Sequence, residues 1–347
     1  MTYLAGKIAF DINAGAPNNG EGEDQKGRVK QMRVGRDVYP YLAPQAVRRW
    51  LRDSVPADEP RSRVFRTGSG QKQQAFTQGR PDKYFDDDLF GYMVALKDSE
   101  RKKDPALPET CQRDTVLATG TFVAVVPNNP TMDFGTMTRG FDAGENPVIH
   151  QHEFYTAVCA GDVLLDLPRV GVFETDGGGL KVALGKQAAQ EAKDAGATET
   201  TLRGTAALAL PLEERRRRTA LILRSLATIQ GGAKHNAHYG DRTPAFLVLA
   251  PMKGGNNPFT RLLQNQLGKV TFSATTLEAE ITAWEDQLDG PVRIGWAPGF
   301  LTDQREKALT HFAGNDRVTI GHPRTILNAL ADEITDKQHD DWFQDAQ

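Results

Sequence analysis

Arg48, Arg49 and Arg52 stand in the stretch Pro44-Gln45-Ala46-Val47-Arg48-Arg49-Trp50-Leu51-Arg52. Helical spacing puts Ala46, Val47, Trp50 and Leu51 on one face. Arg48 and Arg52, four residues apart, fall on the other, with Arg49 beside them. Pro44 suits the first helical position, where a missing N–H costs nothing. Such a helix buries its apolar face and offers backbone N–H groups and guanidiniums at one edge, which is chemistry for phosphate. The same residues also describe an ordinary amphipathic helix with a solvated basic face, so the neighbouring segments must decide.

Four other groups bear on chemistry. Gly231-Gly232-Ala233-Lys234-His235-Asn236 lets a backbone approach a ligand closely, and Lys234 and Asn236 suit phosphate or sugar. Taken alone, the segment is better explained by a helix C-cap followed by a polar loop, and it is not a Walker loop. His150 and His152 would share one side of a strand, as in some zinc sites, with Glu153 and Asp166 as conceivable further ligands. No second histidine–carboxylate cluster supports them, and no metal or other cofactor is expected. Asp86, Asp87 and Asp88 could meet Mg²⁺, but acids in the first turn of a helix are sufficiently explained by capping and the helix dipole. Met132, Phe134 and Met137, with Arg139 and Phe141, put apolar groups on a polar segment. That suits a wedge between bases, a contact with another subunit, or packing back onto the domain. There is no Gly-x-Ser-x-Gly, no His-Glu-x-x-His and no Cys–His pairing that marks a nucleophile.

The elements that must position these residues are readable in outline. Leu4 to Asn13 alternates as a first strand, and a Gly/Asn-rich loop to about Gly27 follows. A basic strand from Arg28 to Val34 leads through Tyr39-Pro40-Tyr41 into the arginine helix. Residues 54–113 turn polar and form an inserted subdomain with one helix from Asp87 to about Lys97. Thr115 to Val126 is strongly β, and 127–147 is a second polar insertion with turn chemistry at both ends. Glu153 to Ala160 and Val163 to Phe173 are two further strands, and 180–204 is surface elaboration. Glu213 to Gln230 is a helix ended by the glycine pair, and Pro244 to Ala250 is a buried strand. Helices near 258–267, 276–288 and 303–313 alternate with short strands thereafter. Strands and helices mix without strict βαβ alternation, which gives an α+β class: one sheet, helices packed on a face, two insertions.

Composition bounds the partners. The 347 residues are 39% hydrophobic and 25% charged, with formal net charge −3 and a pI near 6.2. That balance hides polarity. Lys26, Arg28, Lys30, Arg33, Arg36, Arg48, Arg49 and Arg52 oppose only Asp37, and Arg61, Arg63, Arg66, Lys72, Arg80 and Lys83 oppose Asp82. The C-terminal end leans acidic through Asp332, Glu333, Asp336, Asp340, Asp341 and Asp345. Segregated positive charge is what a polyanion-binding surface needs, whatever the total. No run of eighteen apolar residues exists to span a membrane. The first residues lack a secretory layout. Cys111 and Cys159 form neither a disulfide framework nor a zinc pattern, and are expected as reduced core thiols in a cytoplasmic protein.

Several of these pieces resemble, in order, one family. Gln45-Ala46-Val47-Arg48-Arg49-Trp50-Leu51-Arg52 resembles the Ser-Gln-x-x-Lys-Arg-x-x-Arg helix of the Cas-seven backbone subunits of type I CRISPR surveillance (Cascade) complexes. Asp88-Leu89-Phe90-Gly91-Tyr92-Met93 resembles that family's Leu-Phe-Gly-x-Met helix, and Lys234-x-Asn236 after Gly231-Gly232 resembles its Gly-Lys-x-Asn loop. Asp133-Phe134-Gly135-Thr136-Met137-Thr138-Arg139, Asn146-Pro147, Glu153-Phe154-Tyr155, Leu165-Asp166-Leu167 and Val170-Gly171-Val172-Phe173 resemble its DevR-type branch, typical of type I-B-like systems. The resemblance runs over most of residues 1–260. Ala43-Pro44 stands where the family has Ser-Ser, and Ala233 replaces its glycine before the lysine.

The resemblance implies an RRM-like (ferredoxin-like) palm made of 1–54, 111–127 and 151–347, with elaborations near 175–205. It implies a finger-like insertion at 55–110 and a thumb hairpin at 128–150. It implies a non-catalytic subunit that polymerises along CRISPR guide RNA, whose open bases pair with a target DNA strand. Its partners would be copies of itself in a helical filament and other Cascade subunits: the large subunit and Cas-five-type and Cas-six-type proteins. No membrane is involved. Gln45, Arg48, Arg49, Arg52, Gly232, Lys234, His235, Asn236, Arg28 and Lys30 would hold RNA, and Phe134, Met137 and Arg139 would be the base-displacing thumb. The alternative is a metal-dependent endoribonuclease related to type III backbone subunits, for which Asp24 is the candidate aspartate.

Overall fold

A computed structural model describes the chain except for residues 20–25, 69, 71–72, 97–100, 102–103, 105–106, 138, 141, 143–145, 147, 177–181 and 346–347. Asp24, Phe141 and Pro147 therefore lie outside the described residues.

Ten strands form one sheet: β1 (Thr2–Gly15), β2 (Gln31–Val34), β3 (Asp37–Leu42), β4 (Leu117–Thr119), β5 (Phe122–Ala124), β6 (Thr131–Met137), β7 (Val148–Asp166), β8 (Phe246–Lys253), β9 (Val292–Trp296) and β10 (Val318–Gly321). The path across it is β10-β9-β8-β1-β7-β5-β3-β2, and β4 and β6 also pair with β7. Among the described strand pairs of this sheet, β9–β10 alone is parallel. The described helices are α1 (Pro44–Ser54), α2 (Phe85–Phe90), α3 (Lys186–Asp194), α4 (Leu212–Ala227), α5 (Ala274–Ala283), α6 (Thr302–His311) and α7 (Pro323–Thr335).

β1 is central because both of its faces are apolar. Leu4, Ile8, Phe10 and Ile12 point to one side, where Val47, Trp50 and Leu51 of α1, Ile222, Leu223 and Leu226 of α4, and Ile326, Leu327, Leu330 and Ile334 of α7 cover them. The small residues Ala5 and Ala9 point to the other side and leave room for Phe246, Trp296, Phe312 and the α5 residues Leu277 and Ile281. This alternation is the period-two rule of a strand buried on both faces. In chain order β1, α1, β5, β7, α4 and β8 make a strand–helix–strand–strand–helix–strand series, and its four strands lie side by side as β8-β1-β7-β5.

Several expected elements are corrected. The strand expected at 153–160 and the first part of that expected at 163–173 are one strand, β7, which ends at Asp166; Leu167–Arg169 is a 3₁₀ turn and Val172–Glu174 a separate short strand. Gly161 does not break β7 but makes room for the Phe122 ring, which a Cβ would meet at 2.7 Å. The helix expected to run to Lys97 stops at Phe90, because Gly91 takes a left-handed φ of 71° and packs where a Cβ would lie 2.5 Å from the Arg113 carbonyl oxygen. Tyr92–Val94 then pairs with Cys111–Arg113. Pro258–Arg261 is a single 3₁₀ turn, and Leu263–Gln266 with Lys269–Phe272 is a hairpin rather than a helix. Helix α7 was not expected.

The three consecutive aspartates do not cap α2. Its N-cap is Tyr84, without a side-chain bond, and all three acids are buried. Asp86 accepts from Ser62 N and pairs with Arg52; Asp87 accepts from Arg80 N; Asp88 pairs with Arg113 and Arg218. Their oxygens are occupied by the fold, so capping is replaced by a buried ionic hub. The acidic C-terminal end is likewise paired: Asp332 with Arg224, Glu333 with Arg293, and Asp340 with Arg216. Cys111 and Cys159 are both free and buried, and burial pushes each thiol up to about 12. No described helix is long and apolar enough to cross a membrane.

Candidate nucleic-acid interface

Helix α1 forms as its spacing predicts. Val47, Trp50 and Leu51 are buried, and Pro44 opens it. Ala43, at the N-cap, makes no side-chain cap; instead its N–H donates to Asn18 Oδ1 at 2.7 Å. The arginines divide. Arg48 is half-buried, and no described acid lies within ion-pair distance of it; burial and then the like charge of Arg52 lower its pKa. A cation depressed in this way gains most from an incoming anion. Arg49 is exposed and bonded to Asp53 four residues on, at 2.5 Å. Arg52 turns inward, pairing with Asp86 at 3.3 Å and lying 4.8 Å over the Phe90 ring. Its guanidinium fastens α1 to α2, a role that helical spacing alone could not show.

The glycine segment meets this helix, as the sequence allowed but could not establish. α4 ends at Ala227, and Gln230 N donates to Ser54 Oγ at the end of α1 (2.8 Å). Gly231, with φ 127°, lies on Trp50, where a Cβ would be 3.0 Å from the indole; Gly232, with φ 106°, lies over Pro17. Ala233 N donates to Pro17 O at 2.9 Å. Lys234 itself adopts a positive φ of 54°, and Ala237 N and His238 N close a turn on its carbonyl oxygen. Gln45 and Asn236 are exposed at this edge. The helix edge and the loop are thus one surface, and no described acid pairs with Lys234.

The basic strand reaches the same place through its backbone. Lys30 N donates to Asn18 O, the residue whose side chain receives Ala43 N at the start of α1. Gly27 exchanges backbone bonds with Gln151 and Glu153, and Val29 N donates to Glu153 Oε2. Arg28 is half-buried with its Nε unpartnered. Residues 26–30 therefore bridge the start of α1 and the root of the β6–β7 hairpin. Sequence reading placed Lys30 within a strand from Arg28; the strand begins at Gln31 and forms a hairpin with β3.

The hairpin of β6 and β7 pairs Thr131 with Phe154 through to Met137 with Val148. Phe134, Met137, Val148 and Ile149 are exposed large apolar groups on it. Phe134 and Met137 are three residues apart on a strand, so they occupy opposite faces. Met137 shares its face with Val148, His150 and His152; Phe134 shares the other with Ile149. Arg139 is exposed in the turn beyond.

His150 and His152 do share a side, as expected, with rings 6.2 Å apart. The rest of their expected set does not assemble: Asp166 is at the far end of β7, bonded to Arg203, and Glu153 is bonded to Val29 N. No group of three metal-ligating side chains forms among the described residues. Instead His152 packs against His238 of the glycine loop, ring centroids 4.8 Å apart, and His238 against Phe154 at 5.3 Å. Burial and then His238, with Lys234 and His150, lower the pKa of His152 against the opposing pull of Asp133 at 3.4 Å. Sequence reading did not include His238; its spacing of four from Lys234 in a loop gave no signal.

No protein-family model matches the sequence, and no curated protein matches it. Solved structures do. A chain of a "CRISPR RNA-guided surveillance complex" aligns with a TM-score of 0.55 at 14% identity, covering 95% of this chain and 98% of that one. A chain of a "CRISPR RNA-guided surveillance complex, pre-nicking" aligns with a TM-score of 0.57 at 12% identity, covering 96% and 100%. From end to end, the chain has the fold of a protein chain found in CRISPR RNA-guided surveillance complexes.

Proposed function

We propose that this protein is a non-catalytic, guide-RNA-binding backbone subunit of a CRISPR RNA-guided surveillance complex. The single observation that carries the reading is convergence. Three segments distant in sequence, 26–30, 44–52 and 231–236, meet on one surface with Arg48 and Lys234 unpaired by any described acid. Arg48 and Lys234 are the principal phosphate contacts in this reading, with Arg49, Arg28 and Lys30 around them and Gln45, Gly232, His235 and Asn236 at the backbone. Arg52 acts through the fold. A surface of cations and backbone groups holds a strand by its phosphates and leaves the bases open for pairing with a target DNA strand.

The four strands in the order β8-β1-β7-β5, with α1 and α4 on one face, support an RRM-like palm over 1–54, 111–127 and 151–347. Residues 55–110 are the finger-like insertion and 128–150 the thumb. The exposed Phe134 on one hairpin face and Met137 on the other suit a thumb that meets RNA with one side and a neighbouring copy with the other. Copies stacked along RNA in this way form a filament that other Cascade subunits complete.

Purification at low salt tests the reading. Protein that carries RNA should show a high nucleic-acid absorbance ratio and particles well above the 38.1 kDa of one chain. RNA-free monomers that bind no added single-stranded RNA would overturn it.

The histidines add a pH signature. The fold holds His152 below its usual pKa, through burial and through His238, Lys234 and His150. Phosphate at Lys234 offsets that positive charge, so binding takes up a proton. RNA affinity should rise roughly three- to tenfold as pH falls from about 7.5 to about 5.5. Free-protein stability runs the other way: a depressed histidine pKa contributes stability above the unfolded value of about 6.5 that is lost as pH falls through the folded one. Fluorescence anisotropy with His152→Asn should show a flattened pH response; an unchanged response would remove His152 from the linkage.

A further inference from the structure

On the far side of the glycine loop lies a cavity of about 520 Å³ bounded by the end of α4, residues 235–244 and the start of α7. That volume suits one nucleotide unit. Its charge is unusual. Arg242 is 2% exposed, yet among the described residues Nε and Nη2 of its guanidinium have no hydrogen-bond partner; Nη1 donates to the Asp241 carbonyl oxygen at 3.1 Å. A buried cation with two idle donors is costly unless an anion meets it. Among the described residues Asp241 is the one acid in the lining, and its carboxylate is turned to Thr243, accepting from N at 2.9 Å and Oγ1 at 2.6 Å.

The opposite wall adds to the same field. α7 directs its positive end at the cavity, with His322 Nδ1 accepting from Arg324 N at 3.2 Å as its cap. Arg324 is exposed, and no described acid lies within ion-pair distance of it. At the rim Tyr239 is 81% exposed, its ring edge-on to His235 with centroids 5.3 Å apart. An exposed aromatic ring next to a cationic pocket is the arrangement that stacks a base while its phosphate is held.

We propose that this cavity is a second RNA subsite: it takes one phosphate of single-stranded RNA at Arg242 and Arg324 and stacks the adjoining base on Tyr239. This rests on the RNA-binding reading, and it extends the path from the α1 edge across the glycine loop to α7. His235, which lines the cavity and belongs to that loop, joins the two.

The test uses full-length protein and a single-stranded RNA of about thirty nucleotides substituted with 4-thiouridine. Crosslinks should map to Tyr239, which the main reading leaves out of the contact. Tyr239→Ala should weaken affinity roughly fivefold or more, and Arg324→Gln should reduce the salt slope by about 0.7. Both positions are exposed, so neither variant threatens the fold. Arg242→Gln should behave like Arg324→Gln provided its circular dichroism matches wild type. RNA that binds and is weakened by Arg48→Gln, but neither crosslinks at Tyr239 nor responds to Tyr239→Ala and Arg324→Gln, overturns the subsite and leaves the main reading standing. Wild-type protein that binds no RNA overturns both. Adenosine monophosphate that binds with RNA-independent affinity and is lost in Tyr239→Ala, without any effect of that variant on RNA, also overturns the proposal by making the cavity a free-nucleotide site.

Discussion

Asp88→Ala is expected to destabilise the protein by about 3–5 kcal/mol, a large part of a typical domain's stability. The Asp88 side chain is fully buried. Its Oδ1 accepts from Arg113 Nη2 at 2.6 Å, and its Oδ2 accepts from Arg218 Nη1 and from Gly171 N, each at 2.9 Å. One carboxylate therefore joins the base of the insertion, the turn after β7 and helix α4. Removing it leaves two guanidiniums, Arg113 and Arg218, buried in the same place with no charge between them. Arg113 keeps Glu174 at 3.4 Å and the carbonyl oxygens of Arg169 and Val172, and Arg218 keeps Glu214, so the loss is partly cushioned. Asp88→Asn preserves the shape but not the charge and should fall between wild type and alanine. Urea titration would read both as a lowered midpoint with unchanged slope. A midpoint within error of wild type for Asp88→Ala would mean that this carboxylate does not hold the elements together.

Under the proposed function, affinity for single-stranded RNA should drop about three-hundredfold between roughly 50 and 200 mM salt, the fall expected when about six phosphates release counterions. The cations expected to produce it are those without acid partners among the described residues. Arg48→Gln combined with Lys234→Gln should make the logarithmic slope shallower by about 1.4. Arg52→Gln should leave the slope as it is and lower the melting temperature instead, since that side chain is committed to Asp86 and the Phe90 ring. Anisotropy titrations across a salt series separate the two outcomes. An unchanged slope in the double variant would remove α1 and the glycine loop from the contact.

The contrast between Arg48 and Arg52 marks how far the sequence could be read. Both satisfy the same helical spacing, so α1 and its buried face were legible from Val47, Trp50 and Leu51. Which arginine stays open depends on α2, thirty-odd residues away, whose acids look from the sequence like ordinary first-turn aspartates. Local patterns carried the reading wherever the chain obeys its own period: β1, α1, α4, α5 and β8 all fall close to their expected places. The failures occur where a tertiary contact overrides a local sign. Gly91 ends a helix that its apolar spacing would continue, and Gly161 lies within an unbroken strand because the Phe122 ring needs the space. Likewise the meeting of 231–236 with α1 rests on Trp50 and Ser54, which no local pattern connects to the loop. Helix α7 was legible in principle, since Ile326, Leu327, Leu330 and Ile334 keep helical spacing after a proline.

β7 has a mechanical consequence. Its 19 residues span about 60 Å at a strand's usual rise. The outer third forms the projecting hairpin, and the remainder is clamped between β1 and β4–β5. The strand runs unbroken from the clamped part into the hairpin and has no break of its own to bend at, while β1 shifts register beside it opposite Ala157 and Tyr155. Force applied at the hairpin tip is carried into the centre of the sheet, and the strand's own twist fixes the azimuth at which the tip points. In an array of copies that azimuth would be repeated at every step, so the winding of the whole assembly would be stiff along its length and set by a single strand.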